Sequence, residues 1–144
     1  MVAKRPGNKG KNITIVAALT IGGIFAEKSF EGAMNGEKWT EWIREDLSPI
    51  LAKGDIVVVD NLSAHKNQEA IEIVENTGAK VFFLPPYSPD MNPIEFAWSK
   101  VKNRLRRIGA RTKDALFEAI DVALSEVTQD DAIGWFFESL NAET

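Results

Sequence analysis

Two carboxylates stand where they could do chemistry. Asp60 follows the short apolar run Ile56-Val57-Val58-Val59, the kind of run that forms a strand buried between helices. Its carboxylate then emerges at the carboxyl edge of that strand, where open α/β sheets gather their ligands. The same residue also reads as an Asx-turn or cap leading into the next helix. Glu95 has a second reading of its own. Asn92-Pro93-Ile94-Glu95 is an N-cap, a proline at the first helical position and a capping-box glutamate. With no Cys and one His in the chain, His65, disulfide frameworks, Cys-zinc sites, thiol nucleophiles and multi-His metal sites are excluded. Any metal must be a hard cation held by oxygen.

The elements that would position these acids follow from apolar spacing. Trp39, Trp42, Ile43, Leu47 and Ile50 predict a helix over 37–52, with a break expected at Ser48-Pro49. Helices are also predicted over 66–77, closed by Gly78, over 93–108, over 113–128 and over 130–140. Strands fit 13–20, 24–30, 56–60 and 80–84. The order is a hairpin and then β-α-β-α-α-α, without internal repeat, low-complexity segment or linker. The basic start and the uncharged run from Asn12 to Ala26 imitate an export signal. However, Ile13-Thr14-Ile15-Val16 is β-branched and Gly22-Gly23 can reverse the chain, so a hairpin is the better reading. The run is too short to span a membrane.

The length, 144 residues, suits one domain large enough to hold a core without staples. The absence of Cys points to the cytoplasm. The net charge of -4 conceals a segregation. Residues 98–113 hold seven cations and no acid, whereas 114–144 hold eight acids and no base. Such a helix, with a basic N-terminal arm, suits a phosphate backbone; it also suits a solvated face paired with the acidic tail.

One joint pattern links these pieces. Asp60-Asn61-Leu62-Ser63-Ala64-His65-Lys66 is followed by Pro85-Pro86-Tyr87-Ser88-Pro89-Asp90-Met91-Asn92-Pro93-Ile94-Glu95, with 34 residues between the two acids. It closely resembles the Tc/mariner-type and related bacterial insertion-sequence transposases, which are DDE-superfamily endonucleases. The resemblance is strong over 56–107. It implies an α/β catalytic domain, 1–144, on a ribonuclease-H-like mixed sheet flanked by helices. The implied activity is metal-dependent DNA strand cleavage and strand transfer in the transposition of an insertion sequence. That chemistry uses two Mg²⁺ or Mn²⁺ ions about 3.5–4 Å apart. By resemblance, Asp60 and Glu95 are catalytic metal ligands. Asn61 is placed to orient Asp60, and His65 reads either as a helix-start residue or as a group with a phosphate or supporting role. On a helix from Pro93, positions 95, 99, 102 and 106 share one face, and Lys100, Lys102, Arg104, Arg106 and Arg107 are the DNA-binding candidates. The implied partners are transposon ends and target DNA, with an upstream transposase fragment or a second copy. The implied place is the bacterial cytoplasm at the nucleoid, with no membrane contact.

The pattern also breaks. The family's first Asp lies on a first strand upstream of the hairpin, whereas no Asp precedes Asp46 here. That strand and its acid are expected to be absent, leaving an N-terminally truncated sheet without its central member and a chain inactive on its own. Two expectations remain open: the downstream piece of a transposase whose upstream piece is encoded separately, or a dead remnant that only binds DNA or partner transposase.

Overall fold

In the computed structural model, described residues are 2–6, 13–59, 67–84 and 92–142, with backbone alone for 2–6 and 140–142. Among the described residues, five strands form one mixed sheet in the order β3-β2-β1-β4-β5. They are β1 (Val2–Pro6), β2 (Ile13–Thr20), β3 (Gly23–Glu31), β4 (Ile56–Val59) and β5 (Lys80–Phe83). β2 pairs antiparallel with both β1 and β3, and β4 runs parallel to both β1 and β5. Helix α1 (Gly36–Trp42) and α2 (Gln68–Asn76) cover one face. Helices α3 (Ile94–Ile108), α4 (Lys113–Ser125) and α5 (Gln129–Ala142) cover the other.

β2 shows why both faces must be covered. Ile13, Ile15, Ala17 and Leu19 pack against α3, α4 and α5, while the alternate residues Val16 and Ala18 pack against α1, α2 and β4. Side chains alternate across a strand, so a run with no polar face needs a layer on each side. Trp39 and Trp42 fill the second layer, each 1% exposed.

The structure corrects the expected absence of the first strand. Val2–Pro6 occupies the centre of the sheet, from Val2 opposite Ala18 to Pro6 opposite Thr14 on one side and Val2 opposite Val59 on the other. The backbone of Lys4 and Arg5 therefore belongs to a strand rather than to a free arm. Residue types hid this, because two cations and a proline do not read as a central strand. The predicted 37–52 helix is also divided: α1 passes into a π-helical turn at Ile43–Leu47 and a 3-10 turn at Ser48–Ile50. Pro49 has no N–H to continue the ladder, and the Ser48 hydroxyl donates back to the Arg44 carbonyl at 2.8 Å.

The hairpin forms with Ile21-Gly22 as its loop, Thr20 facing Gly23. Further along, the register shifts between Val16 and Ala18 and Ala26 sits at φ 55. This left-handed residue absorbs a bulge, and the Trp42 indole N–H donates to its carbonyl at 2.8 Å. A non-glycine residue there costs about 1–2 kcal/mol. Ala26→Gly relieves that strain while loosening the unfolded chain, so a net gain of about 0.5 kcal/mol is expected. A lower urea midpoint for Ala26→Gly would contradict it.

Candidate active site

β4 and β5 run parallel and end together, the Leu84 amide donating to the Val59 carbonyl at 2.8 Å. Val59, 2% exposed, is the last described residue before Asp60; the strand leading to that acid is buried only on the face of Val57 and Val59, Ile56 being 62% exposed, where the apolar run suggested cover on both faces. Asp60, Asn61 and His65 lie outside the described residues, as does the segment 85–91.

The second acid is described. The side chain of Asn92, 2% exposed, accepts from the Ile94 amide at 3.3 Å, and its carbonyl accepts from the Glu95 amide at 3.1 Å. The helix starts at Ile94 with Pro93 at its N-cap, one residue later than the Asn92 cap expected from the sequence. Glu95 is half-buried, in the first turn of α3. Ile94, Ala97, Trp98 and Val101 anchor that helix on β2 and are all buried. Gly109, at φ 63, ends it with its amide on the Leu105 carbonyl at 3.0 Å. Glu95 therefore sits on a rigid support. Among the described residues no group of three or more His, Cys, Asp or Glu side chains could hold a metal. The donor chemistry nevertheless fits a hard divalent ion, because a carboxylate on a packed helix faces no sulfur or imidazole competitor among the described residues.

The five basic candidates divide. The Lys100 ammonium donates to the Glu126 carbonyl and to the Asp131 carboxylate, and Arg104 pairs with Glu126 at 2.9 Å. The turn between α4 and α5 is thereby tied to α3. The hydrogen bond from Lys100, and after it the Thr128 amide, holds the Asp131 carboxyl below its ordinary pKa. A lowered folded pKa makes that contribution present above the unfolded value and lost as pH falls through the folded one. By contrast, Lys102, Arg106 and Arg107 are exposed, and none forms an ion pair among the described residues. Arg106 donates to the Asn103 side chain at 2.8 Å. They share the outer face of α3 with Ser99.

Sequence reasoning missed two features. One is the tie from Lys100 and Arg104 to the acidic helices, signalled by opposite charge in 98–113 and 114–144. The other is the Trp98 indole N–H, which is buried and has no hydrogen-bond partner among the described residues. Trp98 follows Glu95 by three positions and was visible only as part of an apolar stripe.

Solved structures share this fold. The Mos1 transposase catalytic domain with raltegravir and Mn matches at TM-score 0.80 and 11% identity, over 97% of this chain and 76% of that one. A Mos1 strand transfer complex matches at 0.73 and 14%, over 96% of this chain but 42% of that one. The catalytic core of BIV integrase matches at 0.59 and 18%, over 99% and 95%. This chain therefore spans under half of the Mos1 chain in the strand transfer complex. At these identities the likeness establishes the ribonuclease-H-like fold. No curated protein matches the sequence. No helix among the described residues is long and apolar enough to cross a membrane. The model of the DDE superfamily endonuclease family matches residues 2–116. The chain belongs to that family, as an endonuclease domain similar to transposase and integrase catalytic cores.

Proposed function

We propose that this chain is a transposase catalytic domain that cleaves DNA strands and transfers them during movement of an insertion sequence. The observation that carries this reading is the combination of a sheet strand, buried on its Val57 and Val59 face, that leads to Asp60 with a first-turn Glu95 on the helix that displays Lys102, Arg106 and Arg107. Asp60 and Glu95 would hold Mg²⁺ or Mn²⁺, which supplies charge neutralisation at a phosphate and activation of water or a 3′-hydroxyl. Asn61 orients Asp60, and His65 supports the phosphate. The exposed cations of α3 bind the DNA backbone and set the duplex against the two acids. Transposon-end and target DNA are the partners, with an upstream transposase fragment or a second copy completing the assembly, in the bacterial cytoplasm at the nucleoid.

A second reading is favoured by one specific observation: β1, Val-Ala-Lys-Arg-Pro, carries no carboxylate. A domain without that ligand would persist as a DNA-binding remnant. Coupling between metal and DNA separates the two. If a phosphate completes the coordination of the ion, Mn²⁺ must tighten DNA binding by the same factor by which DNA tightens Mn²⁺ binding. An increase of about tenfold, abolished in Glu95→Gln, is expected for the endonuclease reading. Independent binding of Mn²⁺ and DNA would leave only the remnant.

A further inference from the structure

The outer strand β3 carries an irregularity that changes what its side chains face. In a regular strand, residues three apart point to opposite faces, so Ile24 and Glu27 should lie on opposite sides of the sheet. Between the pairs Phe25 with Ala18 and Lys28 with Val16, however, Ala26 and Glu27 stand against Ala17 alone. Such an extra residue re-aims the side chain that follows it. Ile24 and Glu27 consequently line the same cleft, while Lys28 turns to the other face and meets Glu41 and Asp46.

The opposing wall is α4. Its first residue, Lys113, pairs with Glu31 at the end of β3 at 2.8 Å. The helix then runs back along the strand and brings Asp121, Leu124 and Ser125 beside Ile24 and Glu27. Val127 completes a cleft of about 370 Å³. Leu124, Val127 and the half-buried Ile24 give it an apolar floor at the margin of the core under α3, α4 and α5. Glu27 and Asp121 are exposed at its rim. Neither forms an ion pair among the described residues, whereas Glu31, Glu126 and Asp131 all do.

We propose that this cleft is a docking site for an extended basic segment of another protein, with an arginine or lysine held by Glu27 and Asp121 and an apolar residue on the floor. Charge complementarity selects the occupant. Two unneutralised carboxylates repel DNA and anionic membrane surfaces and attract a cation, and the apolar floor accepts the stem of a long cationic side chain. The backbone beside the cleft calls for a polypeptide rather than a free amine. β3 stands at one end of the sheet order, so among the described residues its outer edge is unpaired, and a peptide can use that edge as an added strand does. Residues i and i+2 of the peptide then face the cleft together, one apolar and one cationic. The inference rests on β3 and α4 alone and is independent of the metal site and of the outer face of α3.

The test uses the whole 144-residue chain and a fluorescent peptide of about eight residues, an ordinary strand length, with leucine and arginine alternating on one face and threonine on the other. One-to-one binding is expected, with slowed amide exchange in β3 and methyl shifts at Ile24, Leu124 and Val127. A peptide with glutamate in place of arginine should not bind. Glu27→Gln with Asp121→Asn should weaken binding about tenfold and leave the urea midpoint unchanged. Asp114→Asn with Glu118→Gln removes the same charge from exposed positions of α4 outside the cleft, and at physiological salt should weaken it less than about twofold. Ser125→Arg, which sets a cation at the rim, should abolish binding in a chain that still folds. The proposal is overturned if the two double variants weaken binding equally, since the attraction then belongs to the acidic surface at large. It is also overturned if spermidine binds as tightly as the peptide, or if the peptide binds without changing β3 and α4.

Discussion

A supercoiled plasmid incubated with the 144-residue chain and Mn²⁺ is expected to remain unnicked. The family resemblance implies a third acid on the central strand, and β1 has none. The nearest alternatives in sequence are misplaced. Glu27 and Glu31 belong to β3, two strands from β1 in the sheet order, which is about 10 Å at the usual strand spacing. Glu31 is also paired with Lys113 at 2.8 Å. Asp46 lies in the π-helical turn of the α1–α2 layer, 3.9 Å from Lys28. Even residues that only support a metal ligand are worth 10–100-fold when removed, and a missing ligand should cost more. Nicking by the purified chain that disappears in Glu95→Gln would show that another carboxylate completes the site.

DNA binding, in contrast, should survive and be strongly salt-dependent. Each neutralised phosphate contributes a slope of about -0.9 in log K against log salt. Lys102→Ala with Arg106→Ala should therefore flatten the slope by about 1.8. Lys100→Ala should leave it unchanged, because its ammonium is engaged by the Glu126 carbonyl and by Asp131. Equal flattening by Lys100→Ala and by Lys102→Ala would mean that phosphate displaces those partners and that all of α3 is one DNA-binding face.

The helical and outer parts of this fold were legible because periodicity and caps agree. α3 starts at Ile94, one residue after the predicted start, with Pro93 at its N-cap, and ends at Ile108 as predicted, with Gly109 as its C-cap. The run Ile56–Val59 is a strand, as its β-branched residues require. The centre of the sheet was not legible. Val2–Pro6 is held there by backbone pairing with β2, and backbone pairing leaves no mark in residue type. The split of the basic residues was illegible for a related reason. Helical spacing places Lys102 and Arg106 on the outer face, but only the approach of the α4–α5 turn decides that Lys100 and Arg104 meet acids. The pairing of Asp60 with Glu95 came from motif resemblance, since each acid alone reads equally well as a turn or a cap.

The proposed metal site requires Asp60 and Glu95 to share an ion. Mn²⁺ titration of the wild-type chain, Asp60→Asn, Glu95→Gln and the double variant, followed by electron paramagnetic resonance, tests this directly. Two ligands of one ion act as a unit, so each single variant should weaken binding about tenfold or more and the double variant should lose little beyond either. Four superimposable isotherms, or single losses that simply add, would contradict a shared site at Asp60 and Glu95.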